Sequence, residues 1–518
     1  SLSEPTNSSE SLARAARIRL VLDVIIETLV PAIAESPPEV TTQVSALRGS
    51  DLDIRGHLLR KLERSPHRKF LERLLLRLEV PLWNAVVFGR RRAISEMSLE
   101  QRTELLWRWS RSNHESLRIA WLELARPCLY TAYAKPLANG RHPLWEAIGY
   151  GTAPTSITPP EPDEASSSPV ASEATHQNGS QVPDALPGPT RARSNGAIDG
   201  SPDYDVIVVG SGAGGSVVAH SLTRAGMRVL VLEAGRFVSR SELGQGEWDG
   251  NRKLFDKQGS LATDDGRITL LAGRGVGGGT VVNWMTTLET PDYVLRQWQR
   301  ELGVDLHDAE WLQSLTFIQQ RLDVSISERS VNPHNRLLQL GCERLGKRWR
   351  LLPRNARCSD CDLCNFGCPQ GNKRDARRAF LDEAIASGAE LWADTTVSRL
   401  LHSNSRVHGV EVRRRRADGN VEQIRVTADR VVLAAGALHT PGLILRSGLG
   451  NAHVGRHLAL HPTAVVTSRF PKPVHPWRGA PQSVMSHEWE RLTSNGLGVR
   501  LEVAPMHPGF AALAIPWR

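Results

Sequence analysis

The sequence predicts an α/β fold preceded by an all-helical region, on three observations. Residues 204–235 read as strand, glycine turn, helix and second strand closing on an acid. Strand patterns return from Trp392 to Ala435, and residues 1–150 carry helical periodicity with no strand signal.

In the first region Ile18, Val21, Leu22, Ile25, Ile26 and Leu29 recur at helical spacing, marking one buried face that Pro31 ends. Residues 70–82 repeat the theme through Leu71, Leu74, Leu75 and Leu78. Ser98 and Gln101 form a capping box ahead of Leu105, Leu106, Trp107 and Trp109. Residues 1–150 therefore read as a helical N-terminal domain, a docking or lid element rather than a catalytic one. Residues 151–202 are rich in Pro, Ser, Ala, Gly and acids without periodicity, as in a disordered linker, and 203–518 form the next unit.

Tyr204–Val209 is a β-branched run suited to a central parallel strand. Gly210, Gly212 and Gly215 then stand in the G-x-G-x-x-G spacing, with Gly214 inside it. The first lets the chain turn, the second admits a pyrophosphate to the backbone, and the third lets helix and strand pack closely. The phosphate would sit on the helix N-terminus, where free N–H groups favour an anion. Glu233 ends the second strand where a carboxylate takes two ribose hydroxyls and disfavours a 2′-phosphate. Strand, helix and terminal acid together make this a Rossmann-like dinucleotide site rather than a structural βαβ unit.

A second glycine run, Gly273, Gly275, Gly277, Gly278 and Gly279, leaves backbone bare for something flat or anionic, with Thr280 and Asn283 as polar groups at its edge. Residues 307–347 look helical. Residues 395–401, 407–416 and 421–426 form a hairpin or meander turning at 417–420, and 431–435 is a buried strand returning to the dinucleotide sheet. The arginines at 413–416 alternate faces and read as solvated.

The net charge of +9 is spread along the chain with no aromatic-interleaved basic patch, which argues against a nucleic-acid partner. No stretch has the 18 or so apolar residues of a membrane span. With no charged-then-apolar leader pattern, a cytoplasmic location or peripheral membrane association is expected.

The βαβ unit, GRGVGGGTVVN at 273–283 and GALHTPGLILRSGLG at 436–450 together resemble the glucose-methanol-choline (GMC) flavoprotein oxidoreductases. LWEAIGY at 144–150 and NAHVGRHLALHP at 451–462 are similar to the long-chain fatty alcohol oxidase branch. The resemblance implies FAD, in a GMC FAD-binding domain with a partial antiparallel-sheet substrate domain. It implies Gly210, Gly212, Gly214 and Gly215 at the pyrophosphate, Glu233 at the ribose, and the backbone of Val397 at adenine. Gly277, Gly278, Thr280 and Asn283 would lie along the flavin. It also implies hydride transfer from a primary, long-chain alcohol, giving the aldehyde. The family's catalytic histidine lies in a C-terminal segment expected beyond Arg518, so no catalytic residue is assigned, and His457 and His461 read as structural. Residues 464–470 and 497–503 begin substrate-domain strands, and the chain is expected to be a fragment or one half of a split enzyme, without turnover alone.

Cys358, Cys361, Cys364 and Cys368, in an insert at 358–373, have the C-x2-C-x2-C-x3-C-P spacing of the bacterial ferredoxin run. A [4Fe-4S] or a [3Fe-4S] iron-sulfur cluster follows from it, with zinc and free thiols as alternatives. The FAD subunits of bacterial glucose and gluconate dehydrogenases are similar through Cys358, Cys364, Cys368, Gly371 and Lys373. A cluster would send electrons to a quinone or cytochrome. A sugar or polyol dehydrogenase and a non-catalytic electron-transfer module are the rival readings.

Overall fold

The computed structural model describes residues 8–30, 51–150 and 202–514, apart from 305, 307, 327–330, 358–360, 362, 417, 462 and 492–497. The linker expected at 151–202 lies outside the described residues except for Pro202.

The N-terminal part is helical, from Ser8–Leu29 to Pro143–Ile148. Its core joins Leu22, Ile25, Leu58, Leu75, Leu106 and Trp109, all essentially without exposure. The capping box forms as expected: the Gln101 N–H donates to Ser98 Oγ (3.3 Å) and the Ser98 N–H to Gln101 Oε1 (3.2 Å). The helix expected at 70–82 is instead two, Arg68–Leu78 and Pro81–Phe88. Pro81 has no N–H to continue the first helix and suits the opening turn of the second.

Six strands form the main sheet: β1 (Tyr204–Val209), β2 (Val229–Leu232), β4 (Glu390–Trp392), β5 (Thr395–Ser403), β6 (Arg406–Arg415) and β7 (Val421–Leu433), in the order β4-β2-β1-β7-β6-β5. β1 lies parallel to both β2 and β7, and β5, β6 and β7 run antiparallel. The two strands expected at 421–426 and 431–435 are one. β7 pairs with β6 as far as Thr427 and with β1 from Ala428 onward. Where the ladder changes partner, the Asp203 carboxylate accepts the Thr427 N–H and hydroxyl, both at 2.9 Å, so the polar residues do not break the strand. Within the arginine run expected to be solvated, Arg414 lies 5.2 Å over the Trp392 ring.

A smaller antiparallel sheet joins β3 (Trp349–Leu351), β8 (Val484–Ser486) and β9 (Leu501–Glu502) in the order β3-β8-β9. The strand expected at 497–503 survives as β9. Residues 464–470 pair with no strand among the described residues and are exposed, because β-branched composition forms no strand without a ladder partner. Among the described residues no helix is long and apolar enough to cross a membrane.

The N-terminal helices and the helix Pro508–Ala514 meet over one buried acid. Glu247 has no exposure, and its Oε2 and Oε1 accept the backbone N–H groups of Gly509 (2.8 Å) and Phe510 (2.7 Å). The Tyr130 hydroxyl donates to the Glu247 carbonyl at 3.1 Å, which brings in the N-terminal helices. Burial pushes the Glu247 carboxyl up to about 8, against the pull of the two N–H groups. Between the ordinary glutamate range and pH 8 the folded state thus holds a proton that the unfolded chain has released, so stability falls as pH rises through that window. The melting temperature should decline from pH 5 to pH 8, and Glu247→Gln should flatten the decline. An unchanged slope in the variant would place its origin elsewhere.

Candidate functional site

β1 runs into Gly210, whose φ of +101° suits glycine, and a Cβ there would collide with the Ala434 carbonyl. A Cβ on Gly215 would collide with the Gly210 carbonyl. The scaffold requires both. Gly212 and Gly214 differ: a Cβ on Gly212 would reach only Gly278 Cα at 4.0 Å, and one on Gly214 would meet nothing within that distance. Ala213 and Gly214 are exposed, so the first turn of the helix Ala213–Arg224 opens outward, as an anion site at a helix N-terminus requires.

Glu233 is buried at the end of β2. Its Oε2 accepts the Ser211 N–H (3.0 Å) and hydroxyl (2.7 Å), and its Oε1 accepts the Gly235 N–H (2.8 Å). A carboxylate offers about four lone-pair sites, so Oε1 keeps one. The Gly277 N–H donates to Ser211 Oγ at 3.1 Å, which joins the second glycine loop to the same network. The two loops touch backbone to backbone: a Cβ on Gly278 would stand 2.8 Å from Gly212 Cα. Thr280 Oγ1 donates to the Gly277 carbonyl (2.6 Å) and accepts the Ala376 N–H (3.0 Å). Asn283 is exposed at the rim. The Thr395 N–H donates to the Glu233 carbonyl at 2.9 Å, and Val397, buried, follows two residues along β5. The expected glycines, Glu233 and Thr280 are therefore brought together, with Val397 on the adjoining strand.

Ser211 carries this network and was missed in the sequence, where it is merely the residue between two glycines. A second omission is the pair of His439 Nε2 and Asp256 Oδ2, 2.9 Å apart. The His439 bond, helped by Arg274 at 3.5 Å, holds the Asp256 carboxyl below the usual range. Asp256 also gives its N–H to the Ala272 carbonyl (2.8 Å), so the pair ties the helix after β7 to the approach of the second glycine loop. The two residues are 183 positions apart, and no local pattern joins them.

The cysteine run makes a separate feature. Cys358 lies outside the described residues. Cys361, Cys364 and Cys368 are buried and line one cavity with Met285, Ala356 and Lys373. Lys373 has no exposure, and its Nζ donates to the carbonyls of Val281 (2.8 Å) and Asn283 (2.7 Å). Burial pulls its ammonium down to about 8, opposed by Asp375, Cys364 and Cys368. The sulfurs suit a soft metal or an iron-sulfur cluster. The cavity, about 10 Å³, has room for about one water, so a cubane does not fit the residues as folded. Among the described residues no three His, Cys, Asp or Glu side chains group to hold a metal ion.

The model of the GMC oxidoreductase family matches residues 204–463, the segment that holds both glycine loops and Glu233. The chain belongs to the GMC oxidoreductases. That family binds FAD. Long-chain-alcohol oxidase FAO1 of Arabidopsis thaliana is 29% identical over 451 residues, covering 82% of this chain and 58% of the relative. Long-chain-alcohol oxidase FAO3 of the same plant is 32% identical over 393 residues, covering 73% and 52%. An uncharacterized GMC-type oxidoreductase of Mycobacterium tuberculosis is 39% identical over 318 residues, covering 60% and 49%. The chain thus spans about half to three fifths of the length of these relatives.

Gly215→Ala should cost at least about 2 kcal/mol in denaturant unfolding, because its methyl meets backbone that cannot move aside. Gly214→Ala should leave stability within about 1 kcal/mol, on the stabilising side, since alanine favours the helix. The same variant should lose dinucleotide affinity tenfold or more, as measured by titration. Unimpaired binding in Gly214→Ala would remove the open helix turn from the site.

Proposed function

We propose that this chain holds FAD across its two glycine loops and serves an oxidoreductase that acts on the CH–OH group of primary, long-chain alcohols. The observation that carries the flavin reading is the buried network in which Ser211 joins Glu233 to Gly277, since it locks the phosphate turn, the ribose acid and the second loop into one cradle. In this reading Gly210, Gly212, Gly214 and Gly215 line the pyrophosphate, with the helix N-terminus opposing its charge. Glu233 offers its spare lone pair to the ribose, and Val397 borders the adenine. Gly277, Gly278, Thr280 and Asn283 lie along the flavin. Bound FAD supplies the hydride acceptor: the carbinol carbon gives up its C–H bond with two electrons, the hydroxyl proton goes to a base, and the aldehyde remains. Residues of this chain orient the cofactor; the base is not assigned to any of them. The substrate class is supported by the plant relatives named as long-chain-alcohol oxidases.

A second reading concerns the cysteines. The ferredoxin-type spacing of Cys358, Cys361, Cys364 and Cys368 supports an iron-sulfur cluster, and three of these cysteines line one cavity, but the described sulfurs do not group as ligands in the fold as it stands. The cavity's volume requires the wall to open, so the ligand set would close around the group it binds. No electron transfer to a quinone or cytochrome is drawn from it.

Purified chain should bind one FAD, and, once a segment supplying the base is provided with it, a long-chain primary alcohol rather than glucose should bleach the flavin under anaerobic conditions. A chain that takes up no FAD sinks the reading entirely. Bleaching by glucose overturns the substrate class in favour of a sugar dehydrogenase, and bleaching by neither leaves a flavin-holding module without alcohol chemistry. Iron and acid-labile sulfide in the same sample decide the cluster, and their absence after anaerobic purification rejects it.

A further inference from the structure

Residues 261–270 form a β-hairpin that links the N-terminal helices to the second glycine loop. The Thr263 N–H donates to the Ile268 carbonyl (2.9 Å) and the Leu270 N–H to the Leu261 carbonyl (2.8 Å). At its base the Asp256 N–H donates to the Ala272 carbonyl (2.8 Å) and the Arg274 N–H to the Leu254 carbonyl (2.7 Å), so the hairpin opens directly into the glycine run. Gly273, in that base, packs so closely that a Cβ would stand 2.6 Å from Gly279 Cα and 2.8 Å from the Gly278 carbonyl oxygen. Gly278 in turn abuts Gly212 of the phosphate turn. Bare backbone packed on backbone transmits displacement, because no side chain lies between to repack.

Three cationic side chains from three N-terminal helices grip this hairpin along its length. Lys61, in the helix Ile54–Arg64, donates to Ser260 Oγ (3.1 Å). Arg118, in Glu115–Ala120, donates from Nε to the Asp265 carbonyl at the tip (2.8 Å) and from Nη1 to the Ser112 carbonyl (2.7 Å). Arg126, in Arg126–Ala134, donates to Thr269 Oγ1 on the return strand. Gly266, at φ +68°, turns the tip against Leu122, whose Cδ1 would lie 2.8 Å from a Cβ there. Leu122 belongs to the π-helical stretch Trp121–Ala125, a form that is rare and frequent at functional sites. Arg118 is only 7% exposed. Parting the tip from it would strand a buried charged donor, so this bond holds more firmly than one between neutral groups.

We propose that Arg118 is a positioning residue for the cofactor: it holds the hairpin 261–270 as a strap that keeps the second glycine loop closed on the phosphate turn, so the N-terminal helices set how long FAD stays bound. The proposal rests on the FAD reading above and goes beyond it by giving the helical region a part in cofactor retention. Arg118 acts through the hairpin and the Gly273–Gly279 contact. A loosened strap lets the loop part from the turn, and the cofactor leaves faster.

The test measures the rate of FAD release from the FAD-loaded chain after dilution, read by flavin fluorescence, with denaturant stability on the same samples. Arg118→Ala should speed release about tenfold or more, since the bond from a charged donor is lost. Thr269→Val keeps the shape of the strap and removes the hydroxyl that accepts from Arg126, and it should speed release about threefold or more. Leu75→Ala hollows the helical core, which is drawn from residues 18–144, and should lower stability while release stays at the wild-type rate. A merely structural role would instead make release follow stability in all three variants. That pattern overturns the proposal, as does a wild-type release rate in either strap variant. If Arg118→Ala yields no folded protein, Thr269→Val against Leu75→Ala decides by the same criteria. Wild-type chain that takes up no FAD refutes the flavin reading itself, a result distinct from bound FAD whose release ignores both strap substitutions.

Discussion

The hydroxyl of Ser211 is the contact on which the proposed cofactor cradle depends. It donates to Glu233 at 2.7 Å and accepts from the Gly277 N–H at 3.1 Å, so one buried side chain links β1, β2 and the second glycine loop. A buried polar group left without its partner costs about 1–3 kcal/mol, and each of the three members is buried. They are therefore held as a unit, and the position of the acid relative to the phosphate turn is fixed by the protein before any ligand arrives. The bond to the carboxylate is charge-assisted, which places it among the stronger hydrogen bonds.

The remainder of the fold keeps this unit in register. β7 delivers Ala434 against Gly210 and continues into the helix Gly436–Arg446, whose His439 reaches Asp256 ahead of the second loop. The segment 373–376 supports that loop from the opposite side through Lys373 and Ala376. Farther out, Glu247 fastens Gly509 and Phe510 beneath the N-terminal helices, so the helical part packs on the same body as the dinucleotide sheet.

Much of this was legible in the sequence, and the reason is locality. The Ser98 capping box, β1, the glycine turn and Glu233 each follow from residues within one supersecondary unit, where spacing and geometry are nearly the same thing. What escaped was set by distant partners. The single strand β7 could not be read because Asp203, more than two hundred positions earlier, satisfies Thr427 where the pattern breaks. The break at Pro81 was readable in principle, since proline opens helices more readily than it extends them. Residues 464–470 carried strand composition, yet pairing is a property of two segments. For Ser211 and the Asp256–His439 pair no local signal exists at all. The cysteine spacing suggested a common ligand set, but Cys361, Cys364 and Cys368, though they line one cavity, do not group closely enough to hold a metal ion among the described residues.

In the proposed reading the chain recognises the adenosine diphosphate half of FAD through the glycine turn and Glu233. Competition against bound FAD by ADP and by its 2′-phosphorylated analogue tests it most directly. ADP should displace FAD, and the 2′-phosphate should weaken displacement tenfold or more, because a buried carboxylate cannot accept a second anion beside it. Equal displacement by the two, or none by ADP, would contradict the account.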